Sequence, residues 1–228
     1  MKDATGSFLR FHPSTAVSDT AKAVAGRRTF LRMGLLTSAA AALAASPAFT
    51  ELLRTVQAST PDLVHDTYSG LLAFIVPGPD AYSVAQGLST PEAGGIETGV
   101  LDILITVIDE SAPYLPQFSA ILAGILNNLA QAVNPGAAGP FSAPFANLSF
   151  PEKVAVFQIM DGTEALKYLA GVLPAIVAFL CYSDAAVLDP ATRTLTGQPV
   201  GWTISNYSGV ADGRAEFRGY FGNRRTED

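Results

Sequence analysis

The side chains of this chain that could do acid–base work are five carboxylates, Asp102, Asp109, Glu110, Asp161 and Glu164. Paired carboxylates share a reaction when one holds a proton while the other is ionised. At helical spacing, however, Asp102, Thr106 and Asp109 form one narrow stripe, and Asp161 and Glu164 fall at a helix boundary. A solvated stripe and helix-terminal charges explain the same pattern. His65 stands beside Asp66, and the only other histidine is His12. A nucleophilic triad would have to use His65, and the chain has no Gly-x-Ser-x-Gly elbow. It also has no His/Cys cluster at metal-ligand spacing, no haem-attachment motif, and no glycine-rich dinucleotide or phosphate loop. The spacing predicts no catalytic, cofactor-binding or metal-binding residues in this chain. Cys181 is the only cysteine, so an intrachain disulfide is excluded. A buried, inert thiol is the plainer reading, and a disulfide to a partner chain the sharper one. Asn147-Leu148-Ser149 and Asn206-Tyr207-Ser208 match the glycosylation acceptor pattern, but a bacterial-style export signal makes both matches incidental.

That signal is Gly26-Arg27-Arg28-Thr29-Phe30-Leu31-Arg32, followed by the uncharged run Met33 to Ala45. Paired arginines, then Phe30-Leu31, then a moderately apolar segment read as a twin-arginine leader, which takes proteins across a membrane already folded. The apolar run is 13 residues long, short of the roughly 20 needed to span a bilayer. Small-residue cleavage patterns at Ala42-Leu43-Ala44, Ser46-Pro47-Ala48 and Val56-Gln57-Ala58 place removal between Ala44 and Ala58. The expected organisation is a signal region over 1–48 (cut as late as 58), a helical domain over 59–184 and an irregular segment over 185–228. Losing residues 1–48 removes six of 14 basic and two of 20 acidic residues and leaves a net charge of −10. Such a surface repels phosphate backbones, which disfavours nucleic acid as a partner.

The elements that position these residues are five helices, and the fold class expected is all-α, a compact bundle. The first opens at Thr60-Pro61-Asp62, carries Val64, Tyr68, Leu71, Leu72 and Ile75, and stops at Pro77-Gly78-Pro79. A Gly/Ser/Pro-rich loop spans 80–95. The second helix covers about 96–110; nearly every position off its polar stripe is apolar, which predicts a central helix buried on most sides. The third runs from Phe118 to Val133. The fourth starts at the capping box Ser149-Phe150-Pro151-Glu152 and presents Val154, Phe157 and Met160. The fifth runs from Glu164 to about Tyr182, with Pro174 inside it predicting a kink. Its uncharged stretch is too short to span a membrane, so no permanent transmembrane segment is expected. Beyond Asp184 the helical stripe ends and aromatics stand between glycines: Trp202, Tyr207, Phe217, Tyr220 and Phe221. Disordered tails are poor in aromatics, so this segment is expected to lie ordered on the domain or on a partner. Its aromatics are the candidate partner-binding residues, or else simply caps on the helical core.

Three blocks carry a likeness to a known family: Leu72-Ala73-Phe74-Ile75-Val76-Pro77-Gly78-Pro79-Asp80; Pro91-Glu92-Ala93-Gly94-Gly95-Ile96-Glu97-Thr98-Gly99-Val100-Leu101-Asp102; and Val200-Gly201-Trp202 with Asn206-Tyr207-Ser208-Gly209. With the arginine leader, the chain resembles the small subunit of membrane-associated gluconate and sugar dehydrogenases, the gluconate 2-dehydrogenase subunit 3 type, over about residues 27–210. The resemblance implies a helical accessory subunit without a cofactor of its own. It would pair with a large FAD-containing oxidoreductase of the glucose–methanol–choline class. Through Arg27, Arg28, Phe30 and Leu31 it would carry both subunits to the twin-arginine translocase, and so to the periplasm or outside the cell, in a chaperone-like role. The alternative from another class is a stand-alone secreted helical protein that binds an apolar small molecule between its helices.

Overall fold

Pro61 fixes the entry dihedral of the first helix at a position whose N–H needs no helical partner. In the computed structural model, which describes residues 60–189 and 191–207, this helix, α1, spans Pro61–Ile75. There follow α2 (Ala81–Ala85), α3 (Leu101–Ser111), α4 (Phe118–Val133), a 3-10 turn (Pro144–Asn147), α5 (Phe150–Gly162), α6 (Lys167–Cys181), the antiparallel strands β1 (Leu188–Asp189) and β2 (Thr194–Leu195), and α7 (Val200–Ile204). The described residues form a compact all-α fold with one small hairpin. None of their helices is long and apolar enough to cross a membrane.

α1 is the hub. α2, α3, α4, the 3-10 turn and α6 all pack on it, and α5 closes the bundle against α4 and α6. Tyr68, Leu71 and Leu72 from α1 meet Leu122, Ile125 and Leu126 from α4, Leu104 and Ile108 from α3, and Leu169, Leu173 and Val177 from α6 in one core. Burying side chains of this size contributes about 1.5–3 kcal/mol each, which is why a helix as short as α1 holds its shape here.

The expected centre moves. α3 buries only Leu104, Ile108 and Ser111, and Ile103 and Ile105 are half covered. α1 and α4 take the central place instead. α3 also starts at Leu101 rather than near 96, because Gly99 adopts φ +70, a left-handed conformation that ends helical geometry. Its end at Ser111 follows from Pro113, which keeps Ala112 out of the helical region.

Polar ties fix the bundle at places the apolar stripe leaves open. The N-cap of α4, Gln117, has φ +58 and makes no capping bond. Asp109 of α3 supplies the cap instead, accepting the Ser119 backbone N–H at 2.7 Å. The Tyr68 hydroxyl donates to the Ser119 carbonyl at 2.9 Å. Buried Asn127 of α4 donates to Thr67 Oγ1 and to the Ala123 carbonyl at 2.8 Å each, and accepts the Phe145 N–H at 2.9 Å. Replacing Asn127 with leucine strands the Phe145 donor in the interior. We expect a loss of about 2–3 kcal/mol, the cost of an orphaned buried polar group plus misfit, read as a lower urea midpoint. A loss below about 1 kcal/mol would mean the donor is not truly sequestered.

α5 begins as its capping residues predict: the Glu152 carboxylate accepts both the Ser149 N–H and the Ser149 hydroxyl. α6 stays helical through Pro174. The segment after Asp184 is less irregular than expected. Asp189 accepts the Ala191 N–H at 2.8 Å and the Thr192 hydroxyl at 2.8 Å, closing the turn between β1 and β2 as an Asx motif does.

Candidate functional site

Two of the three sequence blocks meet at a glycine junction below the C-terminal end of α1. The Gly95 N–H donates to the Val76 carbonyl at 2.7 Å, and the Gly94 N–H donates to the Glu97 carboxylate at 2.7 Å. Thr90 donates through its N–H to the Gly78 carbonyl and through its hydroxyl to the Pro77 carbonyl. Backbone presses on backbone: a methyl group on Gly94 would stand 2.5 Å from the Gly78 nitrogen and 2.6 Å from its Cα. One on Gly95 would stand 2.7 Å from the Leu72 carbonyl oxygen. The third block joins through Cys181. Thr98 Oγ1 donates to the Gly95 carbonyl and lies 4.0 Å from Cys181 Sγ. Gly201 of α7 sits so close to the Cys181 carbonyl and Tyr182 that no side chain fits there.

Beside this junction lies a side chain that sequence reasoning missed. Lys153, in the first turn of α5, is fully buried. Its amine donates to the Gly70 carbonyl of α1 at 3.1 Å and to Gln86 Oε1 at 2.9 Å. It lies 5.5 Å from the centroid of the Phe145 ring, and Phe157 joins Phe74, Phe145 and Phe150 in one aromatic cluster. Gln86, the C-cap of α2, donates in turn to the Ala73 carbonyl at 2.8 Å, and its own carbonyl accepts the Phe150 N–H at 2.8 Å. Burial pushes the Lys153 amine down to about 7, partly offset by the Asp80 carboxylate. That carboxylate is already engaged, accepting the Ser83 N–H and hydroxyl to cap α2. The signal was present: Lys153, Val156, Phe157 and Met160 recur at helical spacing, with the lysine in the inward stripe where an apolar residue is usual.

The residues expected to matter from sequence are scattered over the body. Asp102, Glu110, Asp161 and Glu164 are exposed, and Asp109 is the cap of α4. His65 is exposed. Its neighbour Asp66 accepts the Tyr82 hydroxyl and both the N–H and hydroxyl of Ser142 at 2.7 Å each. Burial alone would raise the Asp66 carboxyl, but these donors hold it below its ordinary value. The Asn147 amide is spent on both backbone groups of Phe141. Among the described residues no group of three or more His, Cys, Asp or Glu is placed to hold a metal ion.

Cys181 is buried and unbonded, and burial pushes its thiol up to about 11. A disulfide to another chain would require the end of α6 to open. Trp202 is half-buried and Tyr207 exposed, packed edge to face with ring centroids 5.2 Å apart. Nearby, Tyr182 at the end of α6 and Leu188 and Leu195 on the hairpin are also exposed. Phe217, Tyr220 and Phe221, the cleavage patterns, and the signal residues Arg27, Arg28, Phe30 and Leu31 lie outside the described residues. Within those residues 13 carboxylates face only three basic side chains, Lys153, Lys167 and Arg193, of which Lys153 is interior.

No protein-family model, curated protein or solved structure matches this chain.

Proposed function

We propose that this chain is a non-catalytic accessory subunit that carries a twin-arginine export signal for a folded FAD-dependent oxidoreductase of the glucose–methanol–choline class and stabilises it. One observation carries the reading. The first two blocks behind the family resemblance pack backbone on backbone through Gly78, Gly94 and Gly95, and the third, about a hundred residues on, reaches them at one remove: Gly201 lies against Cys181, and Cys181 lies 4.0 Å from Thr98. A shared structural unit of that kind is what a family likeness requires. Trp202 and Tyr207 are the docking residues in this reading, because aromatic rings with one exposed face are favoured at interface centres. The acidic surface adds a preference for a partner with a basic rim. The subunit itself holds no cofactor, the flavin belongs to the partner, and the assembly works in the periplasm or outside the cell.

Co-expression of the tagged chain with the flavoprotein encoded in the neighbouring reading frame tests this. The expected result is a yellow complex with FAD absorbance and a stoichiometric second subunit. Purification of the chain alone, with the flavoprotein soluble and unbound, would remove the reading. If that free chain carried a lipid-like molecule in native mass spectrometry, the apolar-ligand alternative would replace it.

A further inference from the structure

We propose that Lys153 is a proton-operated latch that holds the end of α2 against α1 and α5. The argument starts from what encloses the amine. Its two contacting acceptors are uncharged, the Gly70 carbonyl and Gln86 Oε1, which suit the two donors of a neutral amine. An ammonium has three donors, and beyond these two acceptors it has the Phe145 ring at 5.5 Å, a cation–π contact that favours the charge but is small against the cost of burying one. Lys153 is also rooted in the first turn of α5, the end of a helix that disfavours a cation. No carboxylate is in contact with it. The charged group that acts on it is Asp80, the N-cap of α2, occupied with Ser83; the carboxylates of Asp66 on α1 and Glu152 on α5 are occupied elsewhere, with Tyr82 and Ser142 and with Ser149 and Asn134.

Gln86 makes this amine a latch rather than a local curiosity. That one residue accepts from Lys153, donates to Ala73 of α1 and accepts the Phe150 N–H of α5. Proton uptake from solvent converts the amine to an ammonium that is fully buried and has no carboxylate in contact. The relief available is for the side chain to leave with Gln86, which frees the end of α2. Release binds a proton, so it becomes easier as pH falls from the ordinary lysine range toward 7. It levels off below 7, where the closed state is protonated as well. Tyr82, the other titrating group on α2, is pushed up to about 12, chiefly by burial and then by its bond to Asp66, so it stays neutral through this window.

Amide hydrogen exchange over residues 81–88, corrected for intrinsic rates, reads the opening directly. Between pH 9 and 7 the opening constant is expected to rise by up to about tenfold per pH unit, then flatten between pH 7 and 6. In Lys153→Met the slope should vanish. An unchanging opening constant in the wild type, or the same slope in the methionine variant, overturns the latch. If that variant fails to fold, the wild type still decides. With lysine labelled at 13Cε, the Lys153 resonance should titrate near neutral pH, and a midpoint above pH 9 would refute the proposal.

Discussion

Gly94→Ala should cost the domain about 3 kcal/mol or more, whereas Gly171→Ala should stabilise it by up to about 1 kcal/mol. The two substitutions add the same methyl group, so the difference isolates packing from composition. At Gly94 the new carbon meets the Gly78 nitrogen, the Gly78 Cα and the Pro77 carbonyl carbon at 2.5–2.6 Å. All three atoms are backbone, and none can swing aside as a side chain does. The loop must part from the end of α1, breaking the bond from the Gly95 N–H to Val76 and those from Thr90. Gly171 lies in the middle of α6, exposed, with nothing within 4 Å of an added carbon. There alanine only removes the entropy disadvantage of glycine in a helix. Urea unfolding of both variants measures the contrast. Equal stability would mean that the glycine junction yields, and that the three blocks are not held in the register described.

On the proposed accessory-subunit reading, replacing Arg27 and Arg28 together with lysine should abolish export of this chain and leave the proposed flavoprotein partner in the cytoplasm as well. Lysine keeps both charges but loses the planar guanidinium fork, so a recognition site built for bidentate contacts should reject the pair. Fractionation with antibodies to both proteins provides the measurement. The partner's location is the informative half, because export of the flavoprotein without this chain would separate the signal from the proposed carrying role.

Much of the fold was legible because its signals are local. Pro61 after Thr60, the stripe over α4, and the Ser149/Glu152 pair each act within one or two helical turns. The short elements were missed for the complementary reason. α2 is five residues long and owes its existence to Asp80 capping Ser83 and to Gln86 reaching α1 and α5, contacts that no window of sequence displays. α3 was misplaced because a nearly apolar helix is compatible with a buried or a half-covered position, and only the neighbours decide. The candidate site divides in the same way. Trp202 and Tyr207 stood out as aromatics among glycines. Lys153 hid because a lysine next to a capping glutamate has the look of surface charge. The role of Gly94 rests on an approach between two chain segments and has no sequence period at all.

The hub position of α1 also has a consequence in time. Some of its partners arrive late: Gly70 waits for Lys153, 83 residues further on. The end of α6 is synthesised 153 residues after Arg28, about 8–30 s at ordinary ribosome speeds of ~5–20 residues per second. Within that interval α1 is made early and lacks the face that α6 supplies until residue 181 has been added. An exporter of unfolded chains would find its best substrate then. An exporter of folded proteins would have to wait, because the body of this chain closes only once α6 has been made.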